Sequence, residues 1–193
     1  MTEAAQSTVQ PEALQLQRRF DATPSQLYRS FTEAAHLVEW FGPEGVSCKT
    51  ERFEAHKGGS YEITFFNPDG SEVGLVGRFL QLEKPRLIQM TWRWQRPDET
   101  EPDEETLVTI RLAGAGSGTR LELTHERFGT VSERDRHETG WSSSFGCLDE
   151  ALSQAKRAQG VRREAKNVSA SHRSCPDSRH TPRIRPHRAR IAR

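Results

Sequence analysis

A chain of 193 residues is long enough to bury one well-formed core and too short for two of ordinary size, so one domain with appendages is expected. Hydrophobic residues make up 33 % of it, but no apolar run approaches the roughly 20 residues of a membrane-spanning helix, and the N-terminus MTEAAQSTVQPEALQ lacks a basic-then-apolar signal pattern, so a cytoplasmic location is expected. The net charge of +1 hides a division: Ser153–Arg193 carries 12 Lys and Arg against 2 Asp and Glu, whereas Met1–Leu152 carries 16 against 25. Cys48, Cys147 and Cys175 are odd in number and show no C-x-x-C spacing, which suggests neither a disulfide framework nor a zinc site. Reduced thiols suit the cytoplasm.

Residues 1–12 offer almost nothing to bury and read as a disordered lead-in. From Leu14, apolar and polar residues alternate up to Phe20, a first strand. Thr23-Pro24-Ser25-Gln26 then supplies an N-cap, a proline at the first helical position and a glutamine that closes a capping box. Leu27, Tyr28 and Phe31 form the apolar side of that helix. Thr32 is expected to cap a second short helix containing Leu37, Val38, Trp40 and Phe41, which Gly42-Pro43 stops.

From Val46 to Glu126 the period changes to two. Tyr61, Ile63 and Phe65 alternate with polar residues before the turn Asn67-Pro-Asp-Gly70. Val73, Leu75 and Phe79 continue the pattern, then Met90, Trp92 and Trp94, then Leu107–Leu112 and Thr119–Glu126 joined by Gly114-Ala-Gly-Ser-Gly118. Six to seven antiparallel strands are predicted. Thr91 and Arg93 are expected to face outward by alternation.

The last helix, with Ser132 as its expected cap and an end near Ala158, contains HETGWSSSFGCLDEAL. Its Gly140-Trp-Ser-Ser-Ser144 run fails as a nucleophile elbow, because Ser144 stands where the second glycine is required. At helical spacing, Trp141, Phe145, Leu148 and Leu152 form one apolar stripe, the cover that a curved antiparallel sheet needs. The segment reads as a wall of a core, and most of its serines face elsewhere.

The fold class predicted is therefore α+β: a curved sheet, two short helices after the first strand, and one long C-terminal helix over its apolar face, spanning residues 13–158. In detail the words Phe20-Asp-Ala-Thr-Pro24, Trp40-Phe41-Gly-Pro43, Gly58-Gly59-Ser-Tyr61, Pro68-Asp-Gly70, Gly77-Arg-Phe79, Thr91-Trp92, Leu123-Thr-His125 and His137-x-x-Gly140-Trp141 resemble the helix-grip (START-type, SRPBCC) superfamily. The order is similar to the bacterial family named after the C-terminal domain of the heat-shock-protein-90 ATPase activator. The sequence departs from it at Glu54-Ala-His56, where the family more often has an aspartate and an arginine before the two glycines. The resemblance implies a cavity between sheet and last helix for an apolar or amphipathic small molecule. It does not imply one function, since members include lipid carriers, polyketide cyclases and chaperone regulators.

Candidate lining residues are Trp40, Tyr61, Phe65, Met90, Trp92, Trp94, His125, Trp141 and Phe145. His125 shares a strand face with Leu121 and Leu123 and is the best polar candidate for orienting a ligand. His137, one turn before Trp141, either caps the cavity mouth or lies on the helix surface. The glycines 114, 116 and 118 join two strands without a P-loop lysine and read as a hairpin. The acidic run Pro97–Glu105 has no coordinating geometry, and the histidines show no zinc spacing, so no metal or cofactor is expected. Residues 159–193 read as a basic disordered tail that could hold nucleic acid by charge. The function expected is non-enzymatic binding of an apolar or amphipathic molecule, in a ligand-dependent or stress-response regulator. The alternatives are a chaperone-regulating domain that binds a protein partner and a cyclase-like or hydrolase-like enzyme using His125. No oligomeric state follows from the residues.

Overall fold

The computed structural model describes residues 12–96 and 104–171, with side chains up to residue 162. The chain divides into two units, Met1–Lys156 and Arg157–Arg193. The first holds a seven-stranded antiparallel sheet of order β1-β7-β6-β5-β4-β3-β2. Its strands are β1 (Leu14–Phe20), β2 (Ser47–Phe53), β3 (Ser60–Phe66), β4 (Glu72–Glu83), β5 (Leu87–Gln95), β6 (Thr106–Ala115) and β7 (Gly118–Glu126). Helices α1 (Pro24–Thr32) and α2 (Ala34–Leu37) carry the chain from one edge of the sheet, β1, to the other, β2. Helix α3 (Val131–Ser171) follows the last strand.

Local chemistry accounts for most boundaries. Thr23 caps α1 as expected: its Oγ1 accepts from Gln26 N–H, and the Gln26 side chain accepts from Thr23 N–H. The hairpin between β3 and β4 turns at Gly70, whose φ of 85° is a left-handed value. Three expectations need correction. Thr32 does not cap α2; its hydroxyl donates to Tyr28 O, as β-hydroxyls do within helices, and Glu33 takes the cap position. Helix α3 starts one residue before Ser132, on a capping box in which Thr130 Oγ1 accepts from Glu133 N–H and Glu133 Oε2 accepts from Thr130 N–H. It also runs past Ala158 to Ser171, through a sequence rich in Ala, Arg, Lys and Glu without proline.

The core lies between the inner sheet face and the first half of α3. In adjacent strands the inward residues meet in register: Ile63 opposite Leu75, Phe79 opposite Met90, Met90 opposite Val108, Val108 opposite His125. Trp141, Phe145 and Leu148 of α3 are buried over this face, and Leu152 is half-buried. Phe145 meets Phe20 edge-on at 5.9 Å. Ser144 is buried too, its hydroxyl spent on Gly140 O. Among the described residues no helix is long and apolar enough to cross a membrane. The acidic run is outside the described residues at 97–103, as are the lead-in at 1–11 and the tail from 172 with Cys175.

Candidate functional site

Alternation along β5 sends Trp92 and Trp94 toward α3, while the expected second helix stops at Leu37, so that Trp40-Phe41 lie in the turn after α2 and the chain bends at Gly42-Pro43. Between these and α3 lies a cavity of about 280 Å³. Phe41, Phe65, Trp92, Trp94 and Trp141 supply its aromatic wall, with Val46, Val73 and Gly140 completing the apolar part. The rings abut one another: Trp92 lies 5.3 Å from Trp94, 5.2 Å from Trp141 and 5.8 Å from Phe41.

Four of the nine candidate residues therefore line the cavity: Phe65, Trp92, Trp94 and Trp141. The other five are placed elsewhere, each with a partner. Trp40 donates its indole N–H to Ser30 O and packs on Phe31 at 4.8 Å, tying the turn after α2 to α1. Tyr61 donates its hydroxyl to Thr91 O, passing over Gly77, where a β-carbon would stand 2.5 Å from that hydroxyl. Met90 borders a separate void of about 10 Å³ among core side chains. Phe145 packs between Phe20 and Trp141. Thr91, expected to face outward, is buried, and its Oγ1 accepts from Arg78 N–H.

His125 does not border the cavity but stands behind its wall. Indole nitrogen only donates, so the bond from Trp141 Nε1 to His125 Nδ1, 3.2 Å, puts the imidazole proton on Nε2. That N–H donates to Thr106 Oγ1 at 2.7 Å, and Thr106 donates onward to Trp92 O. His137 repeats the device: Nε2 accepts from Trp94 Nε1 at 2.9 Å and Nδ1–H donates to Glu133 O at 2.8 Å. The two imidazoles meet edge-on at 4.8 Å. Burial, and secondarily the repulsion that a protonated His137 would exert, pushes His125 down to about 2. Burial likewise lowers His137, opposed by its bond to the Glu133 carbonyl. Both rings are neutral braces for the tryptophans that form the wall, and neither has a nitrogen left to take a proton from a substrate. His137 also lines the cavity and is half-buried, so it does not lie on the open helix surface.

Phe41, Arg96 and Arg136 also border the cavity and were not among the candidates. The signals were in the sequence. Arg96 ends the inward-facing series Met90, Trp92, Trp94, and Arg136, Gly140 and Ser144 recur every four residues on one side of α3. Trp92 Nε1 is buried without a hydrogen-bond acceptor, as is Arg93 Nε. At the departure from the family pattern, Glu54 accepts from Ser60 N–H and Oγ–H, which holds its carboxyl low. Among the described residues no group of His, Cys, Asp and Glu is arranged to hold a metal ion.

No curated protein matches the chain. Solved structures do. A protein of Chromobacterium violaceum is 28 % identical, with a TM-score of 0.67, covering 72 % of this chain and 96 % of its own. The AHSA1 protein of Silicibacter pomeroyi is 26 % identical, with a TM-score of 0.68, covering 75 % and 99 %. One from Rhodobacter sphaeroides is 30 % identical, with a TM-score of 0.63, covering 74 % and 93 %. The family model for activator of Hsp90 ATPase homolog 1-like proteins matches residues 21–153, from the start of α1 through the cavity-lining part of α3, and the chain belongs to that family.

Proposed function

We propose that the domain binds a small apolar or amphipathic molecule between the sheet and α3, without transforming it. The observation that carries this reading is the cavity of about 280 Å³, walled by five aromatic residues and far larger than the recess beside Glu104 or the void beside Met90. Pockets of this kind, apolar with a few polar groups, are where small ligands are held. Affinity would come from apolar area removed from water, at roughly 25 cal/mol per Å². The neutral imidazoles support binding over acid–base chemistry, since each spends one nitrogen on a wall tryptophan and the other on Thr106 or the Glu133 carbonyl.

Gly140 supplies the test. It lines the cavity from α3, and a β-carbon there would meet no atom within 4 Å. Gly140→Leu should fill the space while improving helix propensity by roughly 1 kcal/mol. N-phenyl-1-naphthylamine, a neutral apolar fluorophore, should bind the unmodified chain saturably and fail to bind Gly140→Leu, whose urea midpoint stays equal or rises. Equal probe binding by both proteins would reject the cavity as the site.

A further inference from the structure

We infer that residues 43–46 form a strap past which the ligand enters and leaves, and that Ser143 is the positioning residue that holds it shut. This rests on the binding reading above and concerns the route into the same cavity. Phe41, Gly42, Pro43 and Val46 make one side of the lining, and Gly140, Trp141 and Ser144 of α3 make another. Where the strap meets α3, Glu44 N–H donates to Ser143 Oγ at 3.0 Å. Thr139 and Ser144 turn their hydroxyls back on the carbonyls of Asp135 and Gly140, whereas Ser143 Oγ bonds outside its own helix. Among the described residues this is the only hydrogen bond between strap and helix.

The ends of the strap are fixed and its middle is not. Before it, Trp40 is tied to Ser30 O, and the Phe41 ring is buried against Phe65, Trp92 and Trp141. After it, Ser47 enters the ladder opposite Phe66. Between these anchors Gly42 has a φ of 144° and Gly45 a φ of 83°, conformations that a residue with a β-carbon rarely adopts. Val46 N–H donates to Pro43 O and closes a turn with Gly45 in third position, as a type II turn requires. The turn can therefore swing as a unit on Gly42 without losing its own bond.

Glu44 and Gly45 are exposed and Ser143 is half-buried, so water can replace either partner of the latch. A bond of that kind holds the closed form by a factor on the order of three to ten. The β3–β4 turn, which lines the cavity through Asn67, is better secured: Asn67 N–H donates to Ser71 O, and Ser71 N–H donates to Asp69 Oδ1.

Stopped-flow fluorescence with N-phenyl-1-naphthylamine measures entry and exit on the full chain. Ser143→Ala removes the acceptor while favouring the helix. It should raise the association and dissociation rate constants together, each about three- to tenfold, and leave Kd within about twofold, because the latch closes alike on free and bound protein. Glu44→Pro removes the donor at a turn position that suits proline, and should give the same rates, with no further gain when the two changes are combined. Ser142→Ala, at an exposed neighbour, should change neither rate. Unchanged rates in Ser143→Ala, the same gain in Ser142→Ala, or additive gains in the combined variant would overturn the strap while the cavity remains the site. Faster dissociation with unchanged association would make Ser143 a contributor to affinity and overturn it too. Failure of the probe to bind the unmodified chain would remove the binding reading and this inference with it.

Discussion

Gly77 leaves no room for a side chain. A β-carbon there would lie 2.2 Å from Thr91 O and 2.5 Å from the Tyr61 hydroxyl, both fixed by their mutual hydrogen bond. Gly77→Ala should therefore cost about 2–3 kcal/mol in urea unfolding, an overpacking penalty. Adding Tyr61→Phe should recover part of it by removing the nearest side-chain atom; no recovery would mean that Thr91 O alone sets the cost. The histidines give a second prediction. Both are lowered by burial, so below the ordinary value of 6.5 the unfolded chain binds more protons than the folded one. The stability they contribute is complete above 6.5 and is lost as pH falls, toward about 2 for His125. The slope approaches about 1.4 kcal/mol per pH unit for each fully titrating group. The urea midpoint should drop between about pH 7.5 and 5.5, and His125→Gln should flatten that drop despite lowering the midpoint throughout. An unflattened slope would assign the proton uptake to other groups. The imidazole partners were not legible in the sequence: His125 was visible as an inward strand residue, but Trp141 and Thr106 reach it from α3 and β6, 16 and 19 residues away.

Helix α3 shows what local signals fix and where they mislead. Its capping box is Thr130 with Glu133, a pattern as plain in the sequence as a cap at Ser132. Thr130→Ala should cost about 1 kcal/mol and Ser132→Ala little, as thermal unfolding of the two variants would show. The reverse order would move the cap. The apolar stripe through Trp141, Phe145 and Leu148 was legible because burial on one side imposes helical period. The helix end was not, since propensity carries α3 on to Ser171 where the apolar stripe no longer marks it. Residues 153–162 are exposed throughout, and this part of the helix buries nothing.

At the scale of the whole molecule, the sheet brings both chain edges of the domain into one layer: β1 pairs with β7, and β2 closes the opposite side. The core and cavity belong to the unit that ends at Lys156, an exposed residue whose ammonium bonds to Asp21. A chain truncated after Ala158 should unfold with a urea midpoint within about 0.5 kcal/mol of the full chain and bind N-phenyl-1-naphthylamine equally well, because the cavity and the buried stripe of α3 lie before the cut. Loss of probe binding on truncation would require a contribution from the basic segment that the cavity geometry does not include.

The sequence by itself determined the periodicities, the turns and the first cap, and with them an antiparallel sheet covered by one long helix. These are local consequences of where apolar side chains must recur and where Thr, Pro and Gly fit. It also marked the aromatic residues that would be buried, because burial follows from alternation on a single strand or helix. Only the tertiary structure decided which buried residues border open space and which fill the core. Trp92 and Met90 have the same pattern in sequence, yet one faces the cavity and the other lies in packed interior. That difference depends on how closely α2, α3 and three strands approach one another, a distance that no single element carries.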